Sequence, residues 1–128
     1  MVELQDVQVE TLKQYVDVAN TVEEALDYIL ASYGDESKTE SEVLLSDIFA
    51  ALTKLIDTNG QLIFWFKEEE ATIVHLLRIN DLMNELVVLE DRFEDEQFRQ
   101  QMVSEKLAPL YKEWVRTLNF IFQPLLKK

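Results

Sequence analysis

Apolar residues recur at intervals of three and four along most of this chain, the spacing of one face of an α-helix. Leu12, Tyr15, Ala19, Val22, Leu26, Ile29 and Tyr33 lie on one such stripe and predict a long first helix that stops at Gly34. The small, charged, aperiodic stretch from Gly34 to Glu40 predicts a loop, with Ser37 or Thr39 as the cap of the next helix. A second stripe, Leu45, Ile48, Leu52 and Leu55, is widened by Leu44, Phe49, Ala51 and Ile56.

The end of the second helix has two candidate positions. Asn59 and Gly60 are poor helix-interior residues, and Asp57 to Gly60 offers a stop near Asn59. The stripe nevertheless continues in phase through Asn59, Leu62 and Phe66, fails at Glu69, and gives way to a new stripe of Ile79, Leu82, Leu86, Leu89 and Phe93. This phase change favours a turn between Lys67 and Ala71 and a second helix from about Glu40 to Phe66. One interior glycine is a small penalty beside a buried Leu62, Phe64 or Phe66.

A fourth helix is expected after Glu94 to Glu96, whose negative charge suits a helix amino terminus. It carries Leu107, Tyr111, Trp114, Leu118, Ile121 and Leu125, with Pro109 inside the pattern and Pro124 loosening the last turn. Pro109 predicts either a kink near Glu105 or a fresh helix starting at Leu107 to Pro109. Only two glycines and two prolines occur in 128 residues, too few for the frequent turns of a β-rich fold. The expected fold is all-α: a single domain over residues 1–128, packed as an antiparallel up-down four-helix bundle with long helices.

Composition narrows the chemistry. Twelve basic against twenty-five acidic residues give a formal net charge of -13, which repels nucleic-acid backbones and anionic membrane surfaces and leaves solubility or a basic partner as its meaning. The absence of cysteine removes thiolate metal sites, thiol nucleophiles and disulfides together, and suits a cytoplasmic protein. Nothing near Met1 has the form of an export signal, and no apolar run reaches the roughly 18 residues of a membrane span.

A carboxylate-bridged dinuclear metal core needs two Glu-x-x-His motifs, but the chain has one histidine and Thr72 stands three residues before it. His75 continues the third stripe backwards, which makes it an inward-facing, pH-sensitive candidate whose simplest role is a hydrogen bond to a neighbouring helix. Asp57, Asn59, Gln61 and Glu68 occupy the first, third, fifth and last places of a twelve-residue run, as in a calcium loop. Leu62, however, stands where that loop requires glycine. No phosphate-binding glycine loop, catalytic pair or cofactor motif is found, so no enzyme activity and no cofactor are expected.

The remaining signal is aromatic. Leu62, Phe64, Trp65 and Phe66 make a segment apolar around nearly a full helical circumference, and Phe120, Phe122 and Leu126 repeat the pattern near the other end. One face of a surface helix does not hide them all, so these seven residues are candidates for docking a protein partner or a second copy in a homodimer. A kinked and fully enclosed helix end is the alternative. The expected function is a non-enzymatic protein-interaction module such as an adaptor, small chaperone or regulatory subunit. The other readings are an acidic mimic of nucleic acid that occupies a DNA-binding protein, or a weak calcium binder.

Overall fold

The computed structural model describes residues 3–33 and 41–126, which form helices joined by short turns and no strand. The helical segments are α1 (Asp6–Ser32), α2 (Ser41–Trp65), α3 (Glu70–Leu77), α4 (Ile79–Asp91), α5 (Glu96–Met102) and α6 (Ala108–Leu126). One residue separates α3 from α4, and a π-helical turn (Val103–Leu107) joins α5 to α6, so the described residues make four rods of an all-α helical bundle. The stop expected at Gly34 and the cap expected at Ser37 or Thr39 lie outside the described residues. None of the described helices is long and apolar enough to cross a membrane.

Most residues of the stripes read from the sequence form the core, with Tyr33, Phe93, Ile121 and Leu125 half-buried at its edge. Leu12, Ala19, Leu26 and Ile29 of α1 meet Leu45, Leu52 and Leu62 of α2, Leu76, Leu82 and Leu89 of the α3–α4 rod, and Tyr111, Leu118 and Phe122 of α6, all buried. Each fully buried aliphatic side chain contributes about 1.5–3 kcal/mol, which is why the stripe spacing decides the fold. Helix α1 lies between α2 and α6, and the α3–α4 rod packs on the same two helices. Partner numbers fall along α2 as those of α1 rise: Tyr15 meets Asn59, whereas Val22 lines a groove with Ile48, so these two helices run in opposite directions.

Helix α2 runs unbroken through Asn59 and Gly60, as the phase of the stripe favours, and the chain turns only after Trp65. Carrying the helix two further turns buries Leu62 and Phe66, which outweighs the roughly 1 kcal/mol cost of one interior glycine. A methyl group built on Gly60 meets no atom within 4 Å. Gly60→Ala is therefore expected to stabilise the protein by about 0.5–1 kcal/mol, read as a higher urea midpoint at unchanged slope. A loss of stability would mean that Gly60 makes a close approach this structure lacks.

Two irregularities shape the other rods. The third rod breaks at Arg78, where the Arg78 N–H donates to the His75 carbonyl at 3.1 Å and the Asp81 N–H donates to the Arg78 carbonyl at 3.0 Å, the tighter bonding of a 3₁₀ turn. No glycine or proline in the sequence announces that break. The disturbance falls where Pro109 predicts it, since α6 starts at Ala108, inside the expected range of Leu107 to Pro109. Its form is a widening of the helix over Val103–Leu107, with the Ala108 N–H donating back to the Val103 carbonyl. The wider turn falls on Glu105, the residue whose carbonyl a proline at 109 would crowd in a regular α-helix. Where the fourth rod starts, the Asp95 carboxylate accepts the Phe98 N–H at 3.1 Å, as an amino-terminal cap does.

Candidate functional site

The bundle interior holds a group of buried hydrogen bonds whose partners come from all four rods. Tyr15 of α1 donates its hydroxyl to the Asn59 Oδ1 at 2.7 Å, and Asn59 Nδ2 donates to the Leu76 carbonyl at 2.9 Å. Trp114 Nε1 of α6 donates to the His75 carbonyl at 3.2 Å, while His75 Nε2 and the Trp114 carbonyl are 2.9 Å apart. Because a carbonyl only accepts, Nε2 carries the proton. Tyr111 donates to the Ala19 carbonyl at 2.6 Å. Burial raises both the Tyr15 and Tyr111 phenols above their ordinary value, so each stays a donor.

These contacts account for the break at Arg78. Two successive carbonyls at the end of α3, those of His75 and Leu76, receive side-chain donors from Trp114 and Asn59, which replace ladder bonds that the break disturbs. The rings add to the grip. His75 and Trp114 stack with centroids 5.6 Å apart and planes inclined by 17°, and Tyr15 and Tyr111 flank the same indole at 6.5 Å and 5.6 Å.

His75 is 5% exposed and forms one wall of a cleft of about 260 Å³ with Arg78, Asp81, Glu113 and Thr117. Burial lowers its pKa, the bond to the Trp114 carbonyl opposes that shift, and the Arg78 charge lowers it further. A depressed imidazole pKa means that the unfolded chain takes up the proton first as the pH falls. The stabilising contribution is complete above the ordinary value of 6.5 and is lost as the pH falls through the folded value. His75→Gln is expected to flatten the pH dependence of unfolding free energy between about pH 7.5 and 5, measured by urea titration at each pH. Equal slopes for the two proteins would show that His75 is not the group responsible. No described hydroxyl or carboxylate is hydrogen-bonded to this imidazole, whose Nε2 is committed to the tryptophan carbonyl.

The seven docking candidates do not form one surface. Leu62, Phe66 and Phe122 are core residues, with Phe66 and Phe122 rings 5.3 Å apart, and this corrects their assignment as docking residues. They are drawn inward because each is in phase with the buried stripe of its helix. Trp65 and Leu126 are half-buried against the core. Phe64 is 66% exposed and Phe120 83% exposed, on α2 and α6 respectively. The Lys67 ammonium lies 5.0 Å from the centre of the Phe64 ring.

Asp57 to Trp65 is continuous helix, so the calcium loop suggested by the spacing is not formed. Asn59, its third place, is buried and spends its amide inside the core. Among the described residues no group of three or more His, Asp or Glu side chains has the arrangement to hold a metal ion. Exposed acids occur on every rod, among them Asp17, Asp47, Glu90 and Glu113, whereas a nucleic-acid mimic needs them along one face. Arg99, 6% exposed, donates to the Phe93 carbonyl at 2.6 Å and covers the Phe93 ring at 5.0 Å, which ties the turn before α5 to the bundle.

Sequence reasoning placed Tyr15, Trp114 and Tyr111 correctly on core stripes but missed their polar ends. For Asn59 a signal existed: a polar residue in phase with six core positions, Leu45, Ile48, Leu52, Leu55, Leu62 and Phe66, is expected to find a buried partner. Nothing comparable marks Leu76, whose contribution is a backbone carbonyl.

One family matches the chain, described as a domain of unknown function (DUF8042), over residues 10–117. That span contains every member of the buried polar set. Neither a curated protein nor a solved structure matches.

Proposed function

The chain belongs to the DUF8042 family, and we propose that it is a non-enzymatic protein-interaction module, an adaptor, small chaperone or regulatory subunit working in the cytoplasm. The observation that carries this reading is the pair of phenylalanines held in the open, Phe64 and Phe120, on helices whose inner faces are fully packed. Single exposed apolar residues are common, but a phenylalanine that is 83% exposed loses contact area a partner would supply, and aromatics are enriched at interface centres. The buried polar groups support the same conclusion, since their bonds run between different rods, mostly from a side chain to a backbone carbonyl, and thereby brace a scaffold. The net charge of -13 favours a partner of opposite sign.

The test is a photo-crosslinking amino acid placed at position 64 or 120 in the full chain, expressed in its own cells. Crosslinks to another protein are expected from at least one position and not from a control at buried Phe122. Phe64→Ser and Phe120→Ser are expected to change stability by less than about 0.5 kcal/mol while reducing recovery of the crosslinked partner by the other position. A crosslink to a second copy of the chain would identify a homodimer, which light scattering checks independently. No crosslink from either position would overturn the reading.

A further inference from the structure

Helices α1 and α2 leave a slot of about 240 Å³ between them. Buried Val22 and Ile48 form its floor, and the half-buried side chains of Val18, Ala25 and Ala51 form its walls. These walls are low because three of the positions that face one another across the helices are valine or alanine. Two carboxylates, Asp17 and Asp47, stand at the rim, and neither has an ion-pair partner among the described residues.

The charge at this edge is periodic. Glu10, Asp17 and Glu24 are exposed and follow one another every seven residues on α1, an acidic line about 21 Å long at 1.5 Å per residue. Thr11, Val18 and Ala25 stand one place further on, so the same repeat carries the small residues beside that line. On α2 the matching line holds Asp47 and then Lys54, which leaves acids in excess around the slot. A seven-residue repeat of small positions, two of the three apolar, flanked by charge is a surface against which another helix packs, with its own flanking charges opposite in sign.

We propose that the α1–α2 slot receives a basic amphipathic helix of a partner protein. Its apolar side chains fill the space above Val22 and Ile48, and its lysines or arginines lie along Glu10, Asp17, Glu24 and Asp47. This deepens the protein-interaction reading and rests on it. A second copy of the chain is the poorer occupant, because packing α1 on α1 sets two acidic lines against each other within a molecule of net charge -13.

The probe is a synthetic amidated peptide of three heptads, leucine at its a and d places and lysine at e and g, titrated into the isotope-labelled full chain and followed by nuclear magnetic resonance. Shifts are expected to concentrate on α1 and α2 around Val18, Ala25 and Ala51, with affinity falling as salt rises. Asp17→Asn with Asp47→Asn is expected to weaken binding roughly fivefold or more, since exposed charge pairs are each modest. The charge-neutral change Ala51→Leu, which fills the slot, is expected to weaken it as well, with melting temperature showing that each variant is folded. Shifts spread over all four rods would reveal general attraction to an acidic surface and overturn the proposal. So would shifts centred on the α2–α4 side near Phe49 and Met83, affinity unchanged in both variants, or self-association through the slot. If crosslinks from positions 64 or 120 capture a partner that the slot variants still hold, the slot assignment fails while the interaction module stands.

Discussion

Trp114→Ala is expected to cost about 3–5 kcal/mol, a large part of the 5–15 kcal/mol that stabilises a domain of this size. The indole is 4% exposed, stacks on His75, and touches both Tyr15 and Tyr111. Its removal leaves a void where three rods meet, and it takes the Nε1 donor from the His75 carbonyl. Trp114→Phe separates the two effects. It keeps most of the ring area, and the His75 carbonyl still accepts the Arg78 N–H, so the expected loss is nearer 1–2 kcal/mol. Urea unfolding followed by circular dichroism measures both, and a loss under about 1 kcal/mol for the alanine variant would show that α6 is not anchored here.

Asn59→Leu is expected to cost about 2–4 kcal/mol although the two side chains have similar size. The apolar replacement leaves the Tyr15 hydroxyl and the Leu76 carbonyl buried without their partner, at about 1–3 kcal/mol each. The distinguishing result is the double variant. Tyr15→Phe removes the hydroxyl that Asn59→Leu strands, so Tyr15→Phe with Asn59→Leu is expected to be about as stable as Asn59→Leu alone, or more stable. Strictly additive losses would mean that the two side chains do not interact. A polar group on a core stripe is expensive to leave unpaired, and Asn59 avoids that cost because Tyr15 and Leu76 reach it from different rods.

The two results would also bear on why the third rod bends. Trp114 and Asn59 each donate to a carbonyl at the end of α3, so weakening either contact removes a reason for the break at Arg78. Amide hydrogen exchange at Ile79 and Asn80 would report whether the break persists in the variants.

Helix positions were legible because burial follows a period that the sequence displays directly. The choice between a turn at Asn59 and one after Phe66 shows how far this goes. Local propensity pointed to Asn59 and Gly60, stripe phase pointed beyond them, and the larger energy of burying Leu62 and Phe66 decided for the phase. The π-helical turn before Pro109 was legible in part, since proline announces a disturbed helix without announcing its form.

Aromatic exposure was not legible at the level of the segment. Leu62, Phe64, Trp65 and Phe66 make the helix apolar around nearly its whole circumference, a pattern that does not tell which side faces the core, and packing separated them into core, boundary and solvent. The same turn of phase buried Phe122 and left Phe120 outside.

From its sequence alone, this protein is determined to be helical, acidic and apolar along four stripes, because periodicity and charge are properties of neighbours along the chain. Only the tertiary structure decided which polar atoms meet in the interior, where α3 breaks, and that an acid-rimmed slot opens between α1 and α2. Each depends on side chains or carbonyls from rods far apart in sequence, and their meeting is set by how the rods rotate and slide against one another, a degree of freedom that no local pattern encodes.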